Sequence, residues 1–124
     1  MTATWTGSPP PEQLSVTTAR ADASCHVSVV GEVDCSTAPR LTENVDALLA
    51  SGPAELVVDL TGVTFLDSAG LHALVTAHTR AQGQGIRMRV LVATRAVLRP
   101  LQVTGLETLL GVEQVAPRTG SGTA

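Results

Sequence analysis

The chain has no lysine and no tyrosine, one tryptophan (Trp5) and one phenylalanine (Phe65). Without lysine there is no Schiff-base nucleophile, and no phosphate-binding loop of the kind that closes on a lysine. With a formal net charge of -3 and so few aromatics, neither backbone neutralisation nor base stacking is available on the scale that nucleic-acid binding needs. The apolar runs are only a few residues long, well short of the ~20 that a membrane-spanning helix requires, and no membrane association is expected. Residues 1–13 lack a basic stretch followed by an apolar one, so no secretion signal is read and a cytoplasmic location is expected. Cys25 and Cys35 have neither metal-ligand spacing nor ligand neighbours, which points away from a metal site and toward two reduced, structural thiols. No cofactor is expected.

What is present fits a small protein with one core. The 124 residues match one domain, and 44% hydrophobic against 15% charged residues suits a packed body. Both ends, 1–13 with Pro9-Pro10-Pro11 and 117–124, are small and polar and read as mobile tails around a domain over 14–116. Charge is uneven: 31–67 holds seven acids and only Arg40, whereas 68–105 holds five arginines and no acid. The plainer reading is that these segments line different solvated faces; the sharper one is an electrostatically guided protein interface.

Strand-like and helix-like patterns alternate along the domain. Leu14-Ser15-Val16-Thr17-Thr18 and Cys25-His26-Val27-Ser28-Val29-Val30 have period-two character around a turn at Ala21-Asp22-Ala23, predicting a hairpin. A helix follows, capped by Ser36 or Thr37, with Pro39 in its first turn, Leu41, Val45, Leu48 and Leu49 on its apolar face, and Gly52-Pro53 as its stop. A strand over 55–60 and a turn lead to a helix over 68–82 with an inner stripe of Leu71, Leu74, Val75 and His78. A strand over 86–92 precedes a helix that Thr94 caps, that Val97, Leu98 and Leu101 pack, that ends near Gly105, and that Pro100 should kink or shorten. A helical turn over 106–110 and an edge strand over 112–115 close the domain. The pattern predicts an α/β fold: a mixed sheet of four to five strands with helices packed on it through right-handed βαβ crossovers.

The stretch Asp59-Leu60-Thr61-Gly62-Val63-Thr64-Phe65-Leu66-Asp67-Ser68-Ala69-Gly70-Leu71 ends in a polar Asp-Ser pair at a helix start. Unpaired amides there favour an oxygen acceptor, so Asp67 or Ser68 can cap the helix while the serine hydroxyl faces outward. By placement alone, a cap worth about 1 kcal/mol is the ordinary explanation.

This stretch resembles the signature of the STAS family, the sulphate transporter and anti-sigma factor antagonist domains, in which a strand and loop end in Asp-Ser-(Ser/Thr)-Gly-Leu; Asp67, Ser68, Gly70 and Leu71 match it. Gly31-Glu32-Val33-Asp34 is similar to the family's Gly-Glu-(Leu/Val)-Asp turn, and Val103-Thr104-Gly105-Leu106 to its closing Gly-Leu element, so the resemblance spans about 14–115. It implies a stand-alone anti-sigma factor antagonist that is not an enzyme. Unphosphorylated, such a protein binds an anti-sigma factor that is also a serine kinase; phosphorylation of the serine after the aspartate abolishes binding, and a serine phosphatase would reset it. That serine is Ser68, and the expected partner surface is Glu32, Asp34, Asp67, Ser68, Ala69, Gly70 and His72. A monomer is the expected state.

Two departures stand out: Ala69 replaces a second Ser or Thr, and His72 stands where Gly is common. His72, one turn past Ser68, is read as a side chain at the interface edge, with a phosphate or partner carboxylate as its alternative role. Asp34 has a structural alternative as a turn cap, Asp59 is expected to bond nearby amides at a strand end, and Phe65 and Leu66 are expected in the core. A serine hydrolase is disfavoured because no Gly-x-Ser-x-Gly elbow exists and His72 and His78 share one rigid helix with Ser68. The stronger rival is a STAS-type adaptor or accessory subunit in a stress-signalling or transport complex, not regulated through Ser68.

Overall fold

Eight residues of alternating character, Leu14–Ala21, form strand β1, which turns at Asp22 in the left-handed region (φ 55°) and pairs antiparallel with β2, Ser24–Val33. The computed structural model describes residues 14–116; the two expected tails, and Trp5 with them, lie outside the described residues. Beyond the hairpin come α1 (Ala38–Ala50), β3 (Glu55–Leu66), α2 (Ser68–Gly83), β4 (Arg87–Val92), α3 (Arg95–Val103), α4 (Leu106–Leu110) and β5 (Val112–Gln114). The sheet runs β1-β2-β3-β4-β5, antiparallel at the first pair and parallel at the other three, a mixed five-stranded sheet as expected.

Alternation decides which side of the sheet is covered. Val27 and Val29 of β2, Leu56, Val58 and Leu60 of β3, and Val90 and Val92 of β4 join one buried cluster with Leu41, Val45 and Leu49 of α1, Leu74 of α2, and Val97 and Leu101 of α3. The other face of the same strands carries Ser28, Asp59 and Arg89, and there Arg89 makes a bidentate pair with Glu113 of β5, both contacts at 2.9 Å. Arg40 ties α1 to the start of the sheet by donating to the Leu14 carbonyl at 2.7 Å. Among the described residues no helix is long and apolar enough to cross a membrane.

Three expectations need correction. Strand β3 does not stop at Leu60: it continues to Leu66, because the Asp59 carboxylate accepts from the Thr61 amide (2.9 Å) and hydroxyl (2.7 Å) inside the strand. Pairing against β2 then slips twice, between Ser28/Val30 and Gly31/Glu32, and each time β3 spends one extra residue as a bulge. The buried stripe of α2 is Gly70, Ala73, Leu74, Ala77 and Ala81; Leu71, Val75 and His78 are only half-buried, because the small residues are what let α1 lie close against α2. Thr94 occupies the N-cap of α3, yet its buried hydroxyl has no hydrogen-bond partner among the described residues. Helix α3 carries Pro100 inside it and ends at Val103, close to the end expected near Gly105.

The segregation of charge is resolved by pairing across the fold. Arg80 bonds Asp46, Arg87 approaches Glu55 at 3.8 Å and Arg89 holds Glu113, so three of the five arginines of the later segment meet acids from other elements, and only Arg95 and Arg99 stay on a solvated face without an acidic partner among the described residues. All three pairs keep contact with solvent, and stability rests on the apolar cluster. Leu101→Ala, at a fully buried site, is expected to cost about 2–5 kcal/mol in urea unfolding, whereas Arg89→Met should cost less than ~1 kcal/mol.

Candidate functional site

The ends of two parallel strands build the site. Val33, last in β2, is in register with Leu66, last in β3, so the residues that follow, Asp34 and Asp67, leave the sheet side by side. The Asp67 amide closes this edge by donating to the Val33 carbonyl at 3.1 Å.

Asp67 adopts an extended conformation as N-cap of α2, and its Oδ1 accepts from the amides of Ala69 (2.9 Å) and Gly70 (3.1 Å). Of the two candidate caps, the aspartate does the capping. Ser68 is the first helical residue; it is exposed, and its hydroxyl makes no hydrogen bond among the described residues. Gly70 is required by space: a Cβ there would sit 2.4 Å from Leu66 Cδ1 and 2.9 Å from Val33 Cγ1. The glycine thus seats the first turn of α2 directly on the two strand ends.

Asp34 organises the neighbouring turn. Its Oδ1 accepts from the Ser36 amide (2.9 Å), the Ser36 hydroxyl (2.8 Å) and the Thr37 amide (3.1 Å). The Ser36 hydroxyl, followed by the Ser36 amide, holds its carboxyl below the ordinary aspartate value of 3.8. Thr37 is the N-cap of α1 by position, but its hydroxyl turns back, accepting from the Asp34 amide and donating to the Glu32 carbonyl, both at 2.8 Å. The helix amide Ala38 N donates instead to the Asp34 carbonyl at 2.7 Å.

Glu32, Ser68 and His72 are exposed, and Asp34, Asp67 and Ala69 are half-buried. His72 stands one turn along α2 from Ser68 and lines, with Ala69, a groove of about 500 Å³ between α2 and α1. Gly70 is buried beneath the site and so supports it without forming part of its surface. Two residues were read wrongly from sequence. Phe65 is 47% exposed, opposite Glu32, because the second bulge turns it outward while Leu66 stays buried. Cys35 is exposed on the α1 side of the groove, unlike the buried Cys25, and both are free thiols. The signal that separates the thiols is the period-two run in which Cys25 alternates with Val27 and Val29, whereas Cys35 follows the polar turn at Asp34; for Phe65, the signal is an apolar pair, Phe65-Leu66, in which a strand can bury only one member.

The geometry makes two measurable demands. Gly70→Ala is expected to be net destabilising: overpacking costs about 1–3 kcal/mol, against which the helix regains up to ~1 kcal/mol of propensity. For Asp34, a carboxyl held below its ordinary value stabilises the fold above that value, and the contribution disappears as pH falls through the lowered one. The melting temperature of wild type should therefore exceed that of Asp34→Asn at pH 7, with the gap narrowing as pH drops below 3.8; a gap independent of pH would contradict the assignment.

Residues 16–111 match the family model described as Mlab, STAS domain. Anti-sigma-F factor antagonist RsfB of Mycobacterium tuberculosis is 33% identical over 97 residues, 78% of this chain and 79% of the relative. An anti-sigma-B factor antagonist of Staphylococcus aureus is 28% identical over 101 residues, 82% of this chain and 94% of the relative. Among solved structures, an anti-sigma factor antagonist from Mycobacterium paratuberculosis superimposes with a TM-score of 0.77 at 33% identity, over 83% of this chain and 87% of that one. With the family model matching residues 16–111, most of the chain, the chain belongs to the STAS domain family.

Proposed function

We propose that the chain is an anti-sigma factor antagonist. Unphosphorylated, it binds an anti-sigma factor that is also a serine kinase; phosphorylated on Ser68, it lets that partner go, and a serine phosphatase restores it. It acts in the cytoplasm, as a binding protein and not as an enzyme. The bound partner covers the edge formed by Glu32, Asp34, Asp67, Ser68, Ala69 and His72, together with the exposed ring of Phe65. The names of the relatives support this reading.

One observation carries the switch. The Ser68 hydroxyl is exposed and has no hydrogen-bond partner among the described residues, while the Asp67 carboxylate already occupies the Ala69 and Gly70 amides, two of the first-turn donors that would otherwise receive a phosphate. A phosphate on Ser68 adds about -1.5 to -2 charges beside that carboxylate. The only arginine of α2, Arg80, is twelve residues further along, roughly 18 Å by helix rise. The added charge therefore projects toward the partner instead of being absorbed by the helix, and the switch is a local change of surface charge.

Capture experiments with wild type, Ser68→Ala and Ser68→Asp as baits test this. Wild type and Ser68→Ala are expected to retain a kinase-like anti-sigma factor that Ser68→Asp binds roughly 10–100-fold more weakly, as like-charge juxtaposition implies. With ATP, the captured partner should phosphorylate wild type and not Ser68→Ala. Equal capture by all three would make the protein a constitutive STAS-type adaptor.

A further inference from the structure

Of the five arginines between residues 80 and 99, Arg80, Arg87 and Arg89 are taken up by Asp46, Glu55 and Glu113. Arg95 and Arg99 have no acidic partner among the described residues, and both are exposed. They lie on one face of α3 with Leu98 and Gln102, at positions i, i+3, i+4 and i+7, and with Gln114 of β5 they line a groove of about 330 Å³. Leu98, packed against the core, contributes its apolar part. Gln114 faces the helix side because its neighbour Glu113 is drawn to the opposite face by Arg89.

We propose that this groove docks an acidic segment of a partner protein, with Arg95 and Arg99 each receiving one carboxylate. Four residues of helix separate the arginines by about 6 Å along the axis. That spacing matches carboxylates two residues apart on an extended chain, about 6.8 Å, or four apart on a helix. A single phosphate would call for cations converging on one point. Gln102 and Gln114 supply neutral amide donors at the flanks, and no acid lines the groove. Helix α3 begins at the carboxyl end of β4, and Gln114 ends β5, so the groove opens on the same edge of the parallel strands as the Asp67-Ser68 turn after β3. The proposal is independent of whether Ser68 is phosphorylated.

The test is an amide NMR titration of the full chain at low ionic strength with three probes: a hexapeptide alternating glutamate and serine, its glutamine counterpart, and inorganic phosphate. The glutamate peptide is expected to shift the amides of 95–102 and 114, the glutamine peptide to leave them unmoved, and Arg95→Gln/Arg99→Gln to weaken binding about tenfold while the rest of the spectrum is retained. Ser68→Asp should bind the peptide as wild type does, which separates this groove from the switch. Equal shifts with both peptides, no shift in α3, or saturation by phosphate in preference to the glutamate peptide would each overturn the proposal.

Discussion

The register of Val33 against Leu66, closed by the Asp67 amide donating to the Val33 carbonyl, is the constraint on which the edge carrying Ser68 depends. Parallel pairing delivers two aspartates to neighbouring strand ends, and each carboxylate is then spent on its own turn, Asp34 on Ser36 and Thr37, Asp67 on Ala69 and Gly70. Because Asp67 is consumed in this way, the serine that opens α2 is left outward, with no hydrogen bond to its hydroxyl among the described residues. The same closeness leaves no room for a side chain at position 70, which is why a glycine sits under the site.

Electrostatics in this fold sort into compensated and uncompensated charge. Exposed pairs such as Arg80 with Asp46 contribute little to stability, but they settle which charges remain free to act on partners. The result is an edge with Glu32, Asp34 and Asp67 around Ser68, and two arginines on α3 without an acidic partner among the described residues. An added phosphate at the first location raises a negative potential that is already there, without any need for the core to move.

The hairpin, α1 and β4 were legible in sequence because their periodicities are clean and their breakers, Asp22, Gly52-Pro53 and Gly85, stand where the chain turns. Strand β3 was only half legible: Thr61-Gly62 looks like a turn, and nothing local announces that Asp59 would bond Thr61 and let the strand continue through two bulges. The alanine face of α2 was hidden for a related reason. Hydrophobic periodicity favours Leu71 and Val75, whereas close packing of two helices selects small residues, a property of the pair and not of either segment. At the site, the motif residues were visible through their resemblance to a family, but whether Asp67 or Ser68 capped the helix was left open. Only geometry assigns the amides to Asp67 and frees the serine.

The central claim is that phosphorylation of Ser68 changes surface charge and leaves the fold alone. It is tested most directly by amide NMR of the chain phosphorylated stoichiometrically at Ser68 and compared with the unmodified chain. The prediction is that shifts stay within the first turn of α2 and the Asp34 and Phe65 segments beside it, with the Ala69 and Gly70 amides still protected from exchange by Asp67. Shifts spreading through β2 and α1, or loss of that protection, would show that the phosphate displaces the Asp67 cap and that the switch works by rearrangement.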